Sequence, residues 1–107
     1  MTLPSEKPSF GVLDGVKVVY AAVEEAVPRA CDLMADWGAD VVWLENTGTG
    51  DTVRDTKWVK QAERRNQRSV SMNYFSDEGK EIIRRLVADA DIFIEASKGG
   101  TWARKGI

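Results

Sequence analysis

Histidine is absent from this 107-residue chain. That removes the commonest general base and the commonest metal ligand. A lone cysteine, Cys31, excludes an internal disulfide and, without histidine, leaves no usual zinc ligand set. No metal is expected. No apolar run approaches the roughly 20 residues that span a bilayer. The N-terminal M-T-L-P-S-E-K-P-S-F carries no apolar signal core. The expectation is therefore a cytoplasmic protein with no membrane partner. A formal net charge of −2 argues against nucleic-acid binding driven by bulk charge.

Glycine is missing where a dinucleotide fingerprint would need it. The first strand–helix turn reads Tyr20-Ala21-Ala22-Val23-Glu24-Glu25-Ala26, and a pyrophosphate there would meet carboxylates instead of bare amides. Glu24 and Glu25 read better as charges favourable to a helix N-terminus than as an acid/base pair. Gly48-Thr49-Gly50-Asp51 lacks the Gly-Lys-Ser/Thr ending of a P-loop, and a flexible turn is the favoured reading.

What remains is an ordinary globular composition, 43% hydrophobic and 30% charged, long enough for one small domain with a thin core. Residues 1–11 carry two prolines and no periodicity, and read as an extended arm. Leu13-Asp14-Gly15 is a turn, and Val16 to Tyr20 a β-branched strand. A helix is expected from Val27 to Trp37, with Pro28 in its first turn and Gly38 as its stop. Val27, Ala30, Cys31, Met34 and Trp37 fall at helical spacing as its apolar stripe. Cys31 on that stripe reads as core, not nucleophile. Val41 to Leu44 is a second strand, closing a βαβ unit. Asn46 to Thr56 is a loop. Lys57 to Arg68 is basic and reads as a weak helix or an irregular connection. Ser69 to Asn73 is a third strand. Ser76 caps a second helix with Asp77 and Glu78 in its first turn. Ile82, Ile83, Leu86 and Val87 are its expected buried stripe, and Asp91 opens a fourth strand. The fold class is α/β, Rossmann-like, with a mostly parallel sheet and alternating helices.

Two basic segments stand out. Arg64, Arg65 and Arg68 could grip phosphates, although composition favours a solvated connection. The second follows the fourth strand. Ile92-Phe93-Ile94 breaks into Ser97-Lys98-Gly99-Gly100, and Arg104 and Lys105 come next. Open α/β sheets place ligands at the carboxyl ends of their strands, so this last stretch is suited to an anion. Trp102 within it either stacks on a base or packs as core, the commoner fate. The chain stops there without a signal that ends a fold, as the first piece of a larger protein would.

An ordered series of segments carries a resemblance. It comprises L-D-G-V-K-V-V at 13–19, W-G-A-D-V-V-W-L-E-N at 37–46, G-D-T-V-R at 50–54, R-R-N at 64–66, D-E-G at 77–79, and D-I-F-I-E-A-S-K-G with A-R-K-G-I to residue 107. Over residues 10–107 the chain resembles the family III CoA-transferases, and their L-carnitine CoA-transferase branch in particular. The resemblance implies that residues 12–107 are the N-terminal part of a Rossmann-like, coenzyme A-binding domain. It implies a homodimeric parent enzyme that moves coenzyme A between an acyl-CoA and a small, carnitine-like carboxylic acid. The nucleophile implied is an aspartate lying past residue 107, so this chain alone is expected to be inactive. The lysine of S-K-G that contacts coenzyme A in that branch falls on Lys98. A second basic contact falls on Lys105, where the family's Arg-Arg is Arg104-Lys105, and Arg104 is the alternative. The family's Ala-Gly-Pro is Ala26-Val27-Pro28 here, and Glu25 and Arg29 are also unusual. These departures motivate the runner-up, a truncated, non-catalytic paralogue acting as a coenzyme A-binding or interaction module. A stop codon directly after codon 107 would favour it.

Overall fold

A computed structural model of the chain describes residues 8–23, 26–55 and 64–107. Its elements are β1 (Lys17–Ala21), α1 (Ala26–Asp36), β2 (Asp40–Asn46), a 3-10 turn (Thr52–Asp55), β3 (Arg68–Met72), α2 (Asp77–Ala88), β4 (Ile92–Glu95) and a short helix α3 (Thr101–Arg104). The strands form one four-stranded sheet in the order β3-β2-β1-β4. Every pairing is parallel, with Val19 opposite Val42 and Phe93, and Leu44 opposite Val70.

The central strands are apolar because both their faces are covered. Alternate β1 side chains serve opposite cores. Val18 and Tyr20 join Val41, Trp43, and the α1 residues Cys31 and Ala35 on one face. Val19 and Ala21 join Val42, Leu44 and Met72, with Ile83 of α2 and Trp102 of α3, on the other. The Rossmann-like α/β reading is what the chain builds. Ser76 caps α2 as its sequence predicts, its hydroxyl accepting from Gly79 N at 3.0 Å.

The stripe of α1 is rotated from its expected position, and that of α2 departs at one residue. On α1 the buried residues are Pro28, Cys31, Asp32 and Ala35, with Val27 and Met34 at the flanks, whereas Ala30 and Trp37 are exposed. Trp37 lies about half a turn around the helix from Pro28, given 3.6 residues per turn. Asp32 can face inward because Arg65 reaches it at 2.9 Å. On α2, Gly79 and Ile83 are buried and Leu86 and Val87 pack beside them as expected, whereas Ile82 is exposed. Gly79 must be small, since a Cβ there would sit 1.8 Å from the Asn73 carbonyl oxygen.

The turn before β1 is clamped onto the end of α1. Leu13 N donates to the Trp37 carbonyl at 2.9 Å. Gly38 takes φ +106°, and a Cβ on it would lie 1.9 Å from the Phe10 carbonyl oxygen. Its role as the stop of α1 is thus both conformational and steric.

Two outcomes are expected. Gly38→Val should lower the urea midpoint, with the backbone strain alone costing about 1–3 kcal/mol; an unchanged midpoint would contradict the clamp. Cys31 is fully buried, and burial pushes its thiol up from 9.0 to about 12, the Arg64 charge acting in the opposite sense. That depletes thiolate roughly 1000-fold. Iodoacetamide at pH 8 should therefore label native chain at least about 100-fold more slowly than urea-unfolded chain.

Candidate functional site

The sheet order reverses beside β1. The chain steps from β1 to β2 and β3 on one side, then crosses to place β4 on the other. The loops leaving β1 and β4 diverge at such a point and leave a crevice at the carboxyl edge. A cleft of about 220 Å³ lies there. Its walls are Ala21 to Val23 after β1, Asn46, Thr49 and Gly50 after β2, Tyr74 and Phe75 after β3, and Ala96, Ser97, Thr101 and Trp102 after β4. The walls are apolar and aromatic, and none of these residues is a carboxylate.

Trp102 is the keystone of the wall. It is 7% exposed and packs its ring 5.5 Å from Tyr74, 5.8 Å from Phe75 and 5.5 Å from Phe93, centroid to centroid. Its indole N–H donates to Ser97 Oγ at 2.9 Å, tying α3 to the turn after β4. It packs as core and also lines the cleft. Tyr74 donates its hydroxyl proton to the Leu44 carbonyl. Burial, followed by the Glu45 and Asp51 charges, raises its pKa well above the ordinary phenol value. It is therefore fixed as a neutral donor and carries no base chemistry.

The residues expected to meet an anion all sit around this one turn. Lys98 is exposed within it, and its carbonyl accepts from Thr101 N at 3.0 Å and Thr101 Oγ1 at 2.6 Å. Arg104 folds back along α3, donating to the Gly99 carbonyl and to Thr101 Oγ1, each at 3.3 Å. Lys105 holds its ammonium 5.5 Å from the ring centroid of Phe75, a cation–π placement at the cleft rim. None of these cations has a carboxylate partner among the described residues. Glu24 and Glu25 lie outside the described residues. Val27, where the family pattern has glycine, packs against the α1-side core.

The other basic segment departs from both readings at Arg64 and keeps the solvated one at Arg65 and Arg68. Arg64 is buried with Asp51 at 2.5 Å, the side chains 2% and 1% exposed. Arg65 binds Asp32 and Asp36, and Arg68 binds Asp40 at 2.7 Å. Arg54 pairs with the buried Glu45, which also accepts from Ser69 Oγ at 2.6 Å. Arg54 and Arg64 both stand over the Trp43 ring, 5.0 and 4.9 Å from its centroid. Arg64 is therefore neither solvated nor open to a phosphate, whereas Arg65 and Arg68 stay half exposed, as a solvated connection would, with their charge paired to carboxylates. The sequence reading missed this network because its carboxylates lie on other elements. The Gly48 to Asp51 turn does form, with Gly50 N donating to the Asn46 carbonyl at 2.8 Å. Asp51 anchors it from beneath, which places Thr49 and Gly50 in the cleft wall.

Comparison with known proteins agrees with this geometry. The family model described as CoA-transferase family III matches residues 13–107. A solved CAIB/BAIF family protein from Brucella suis is similar, with TM-score 0.83 and 34% identity over 92% of this chain. A hypothetical protein from Mycobacterium tuberculosis is similar too, with TM-score 0.81 and 27% identity over 92% of this chain. This chain spans only 29% of the length of each of those structures. The chain belongs to CoA-transferase family III.

The buried pair makes its own prediction. Arg64→Met leaves the Asp51 carboxylate buried without its partner and should cost about 3–5 kcal/mol in urea unfolding. Pairing it with Asp51→Leu should recover most of that loss. A single-variant cost below about 1 kcal/mol, the range of an exposed pair, would contradict the burial.

Proposed function

We propose that this member of CoA-transferase family III supplies the coenzyme A-binding face of an enzyme that moves coenzyme A from an acyl-CoA to a free carboxylic acid. One observation carries the reading. The cleft at the strand-order reversal has an apolar, aromatic interior, and Lys98, Arg104 and Lys105 stand around its rim without carboxylate partners among the described residues. Coenzyme A needs that combination, because it joins an aromatic base and a long thiol arm to clustered phosphates. Lys98 and Lys105 hold phosphates in this reading. Arg104 takes over where a bidentate fork is needed, which a lysine cannot supply.

The lining offers no carboxylate, so the reading assigns this face to binding and positioning. The chemistry proposed is covalent catalysis by an aspartate outside residues 1–107, through a mixed anhydride and an aspartyl-CoA thioester. The acceptor proposed is a carnitine-like acid, following the W-L-E-N and E-A-S-K-G segments, and the parent enzyme is a cytoplasmic homodimer. No described helix is long and apolar enough to cross a membrane.

Calorimetric titration of the chain with coenzyme A tests the binding claim. Saturable binding that weakens with added salt is expected. Lys98→Ala and Lys105→Ala should each weaken it about ten-fold or more, the loss of one charge-assisted phosphate contact. Binding indifferent to both substitutions and to salt would contradict the assignment.

A further inference from the structure

The described cations fall into two groups. Six described cations are paired with carboxylates of the chain: Lys17 with Asp89, Arg54 with Glu45, Arg64 with Asp51, Arg65 with Asp32 and Asp36, Arg68 with Asp40, and Arg85 with Glu81. Cations without a carboxylate partner among the described residues collect at one edge. They include Lys98, Arg104 and Lys105 and also two residues of α2, Lys80 and Arg84.

Lys80 and Arg84 are one turn apart on α2, a spacing at which like charges repel and weaken a helix. Their heads nonetheless converge. Arg84 donates to the Gly106 carbonyl, and a methyl group placed on Gly106 would lie 4.0 Å from both Arg84 Nη2 and Lys80 Nζ. Gly106 adjoins Lys105, whose ammonium sits over Phe75, and Phe75 lines the cleft. Cations therefore stand on both sides of the Lys105–Gly106 step, Lys105 toward Phe75 and the cleft, Lys80 and Arg84 on α2. The acids nearest in sequence do not pair with the two on α2: Glu81 is turned to Arg85 at 2.9 Å, and neither Asp77 nor Glu78 forms an ion pair with Lys80 or Arg84.

We propose that Lys80, Arg84 and Lys105 form a second anion subsite, outside the cleft, that takes the 3′-phosphomonoester of coenzyme A. This rests on the reading that the cleft binds coenzyme A. The monoester is the densest charge on the ligand, close to a dianion at neutral pH. It is also a branch off the ribose, so it can sit beyond the rim while the diphosphate runs past Lys98. Convergent Lys and Arg heads suit its several strong acceptor oxygens.

Dephospho-CoA, which keeps the diphosphate and lacks the monoester, separates the two sources of phosphate. The chain should bind coenzyme A about ten-fold or more tightly than dephospho-CoA, the value of one charge-assisted contact. Lys80→Gln with Arg84→Gln should erase that preference and leave dephospho-CoA affinity unchanged. Because Arg84 also braces Gly106, Lys80→Gln alone and Arg84→Lys serve as checks. The first should reduce the preference, and the second should keep it. Equal binding of the two nucleotides by the unaltered chain, or a preference that survives the double substitution, would overturn this subsite and leave the cleft reading standing. Binding of neither nucleotide would overturn both.

Discussion

Strand β1 is hydrogen-bonded to β2 on one side and to β4 on the other, and the chain leaves those neighbours in opposite directions. Much else depends on that placement. A strand buried on both faces must be apolar throughout, so Val18, Val19, Tyr20 and Ala21 divide between two cores. Helix α1 covers one face and α2 the other. The crevice between the departing loops is left for the aromatic cluster around Trp102 to line. The cleft is thus a consequence of strand order, and the residues after β4 give it its chemistry.

Burying Arg64 against Asp51 costs solvation on both sides, offset only by close geometry and further contacts. The Trp43 ring under both Arg54 and Arg64 provides one such contact. These pairs hold the wall that carries Thr49 and Gly50. The cations at the carboxyl edge have no such partners among the described residues, and their charge is available to a ligand.

The sheet was legible in the sequence because its strands are short β-branched runs set off by glycine, proline and capped helices. Ser76 and Gly38 marked their boundaries correctly, each by a local interaction. Helix α3 was not legible. Thr101-Trp102-Ala103-Arg104 is too short to show a period, and it is held by packing of Trp102 on residues from β4 and from the loop after β3. The α1 stripe was read about one position off, because periodicity admits several neighbouring faces until the partner strand is known, while on α2 only Ile82 was misplaced. The burial of Arg64 was the largest miss. Local composition describes a basic run, whereas the pairing here depends on Asp51, Asp32, Asp36 and Asp40, brought from α1, β2 and the turn after β2, and only the Arg64–Asp51 pair is buried. Lys98, Arg104 and Lys105 were named together from the resemblance, and the fold sets them around one turn. Lys80 and Arg84 carried no local signal, since a helix surface ordinarily holds such residues in water.

The central claim is that the carboxyl edge beside β1 is the coenzyme A face. Amide chemical-shift mapping of the chain during a coenzyme A titration tests it most directly. The account predicts shifts concentrated at Ala21 to Val23, Gly50, Phe75 and Ser97 to Lys105, with the Trp102 indole N–H among the largest. Shifts confined to the opposite edge, around Lys17, Asp40 and Arg68, would contradict it.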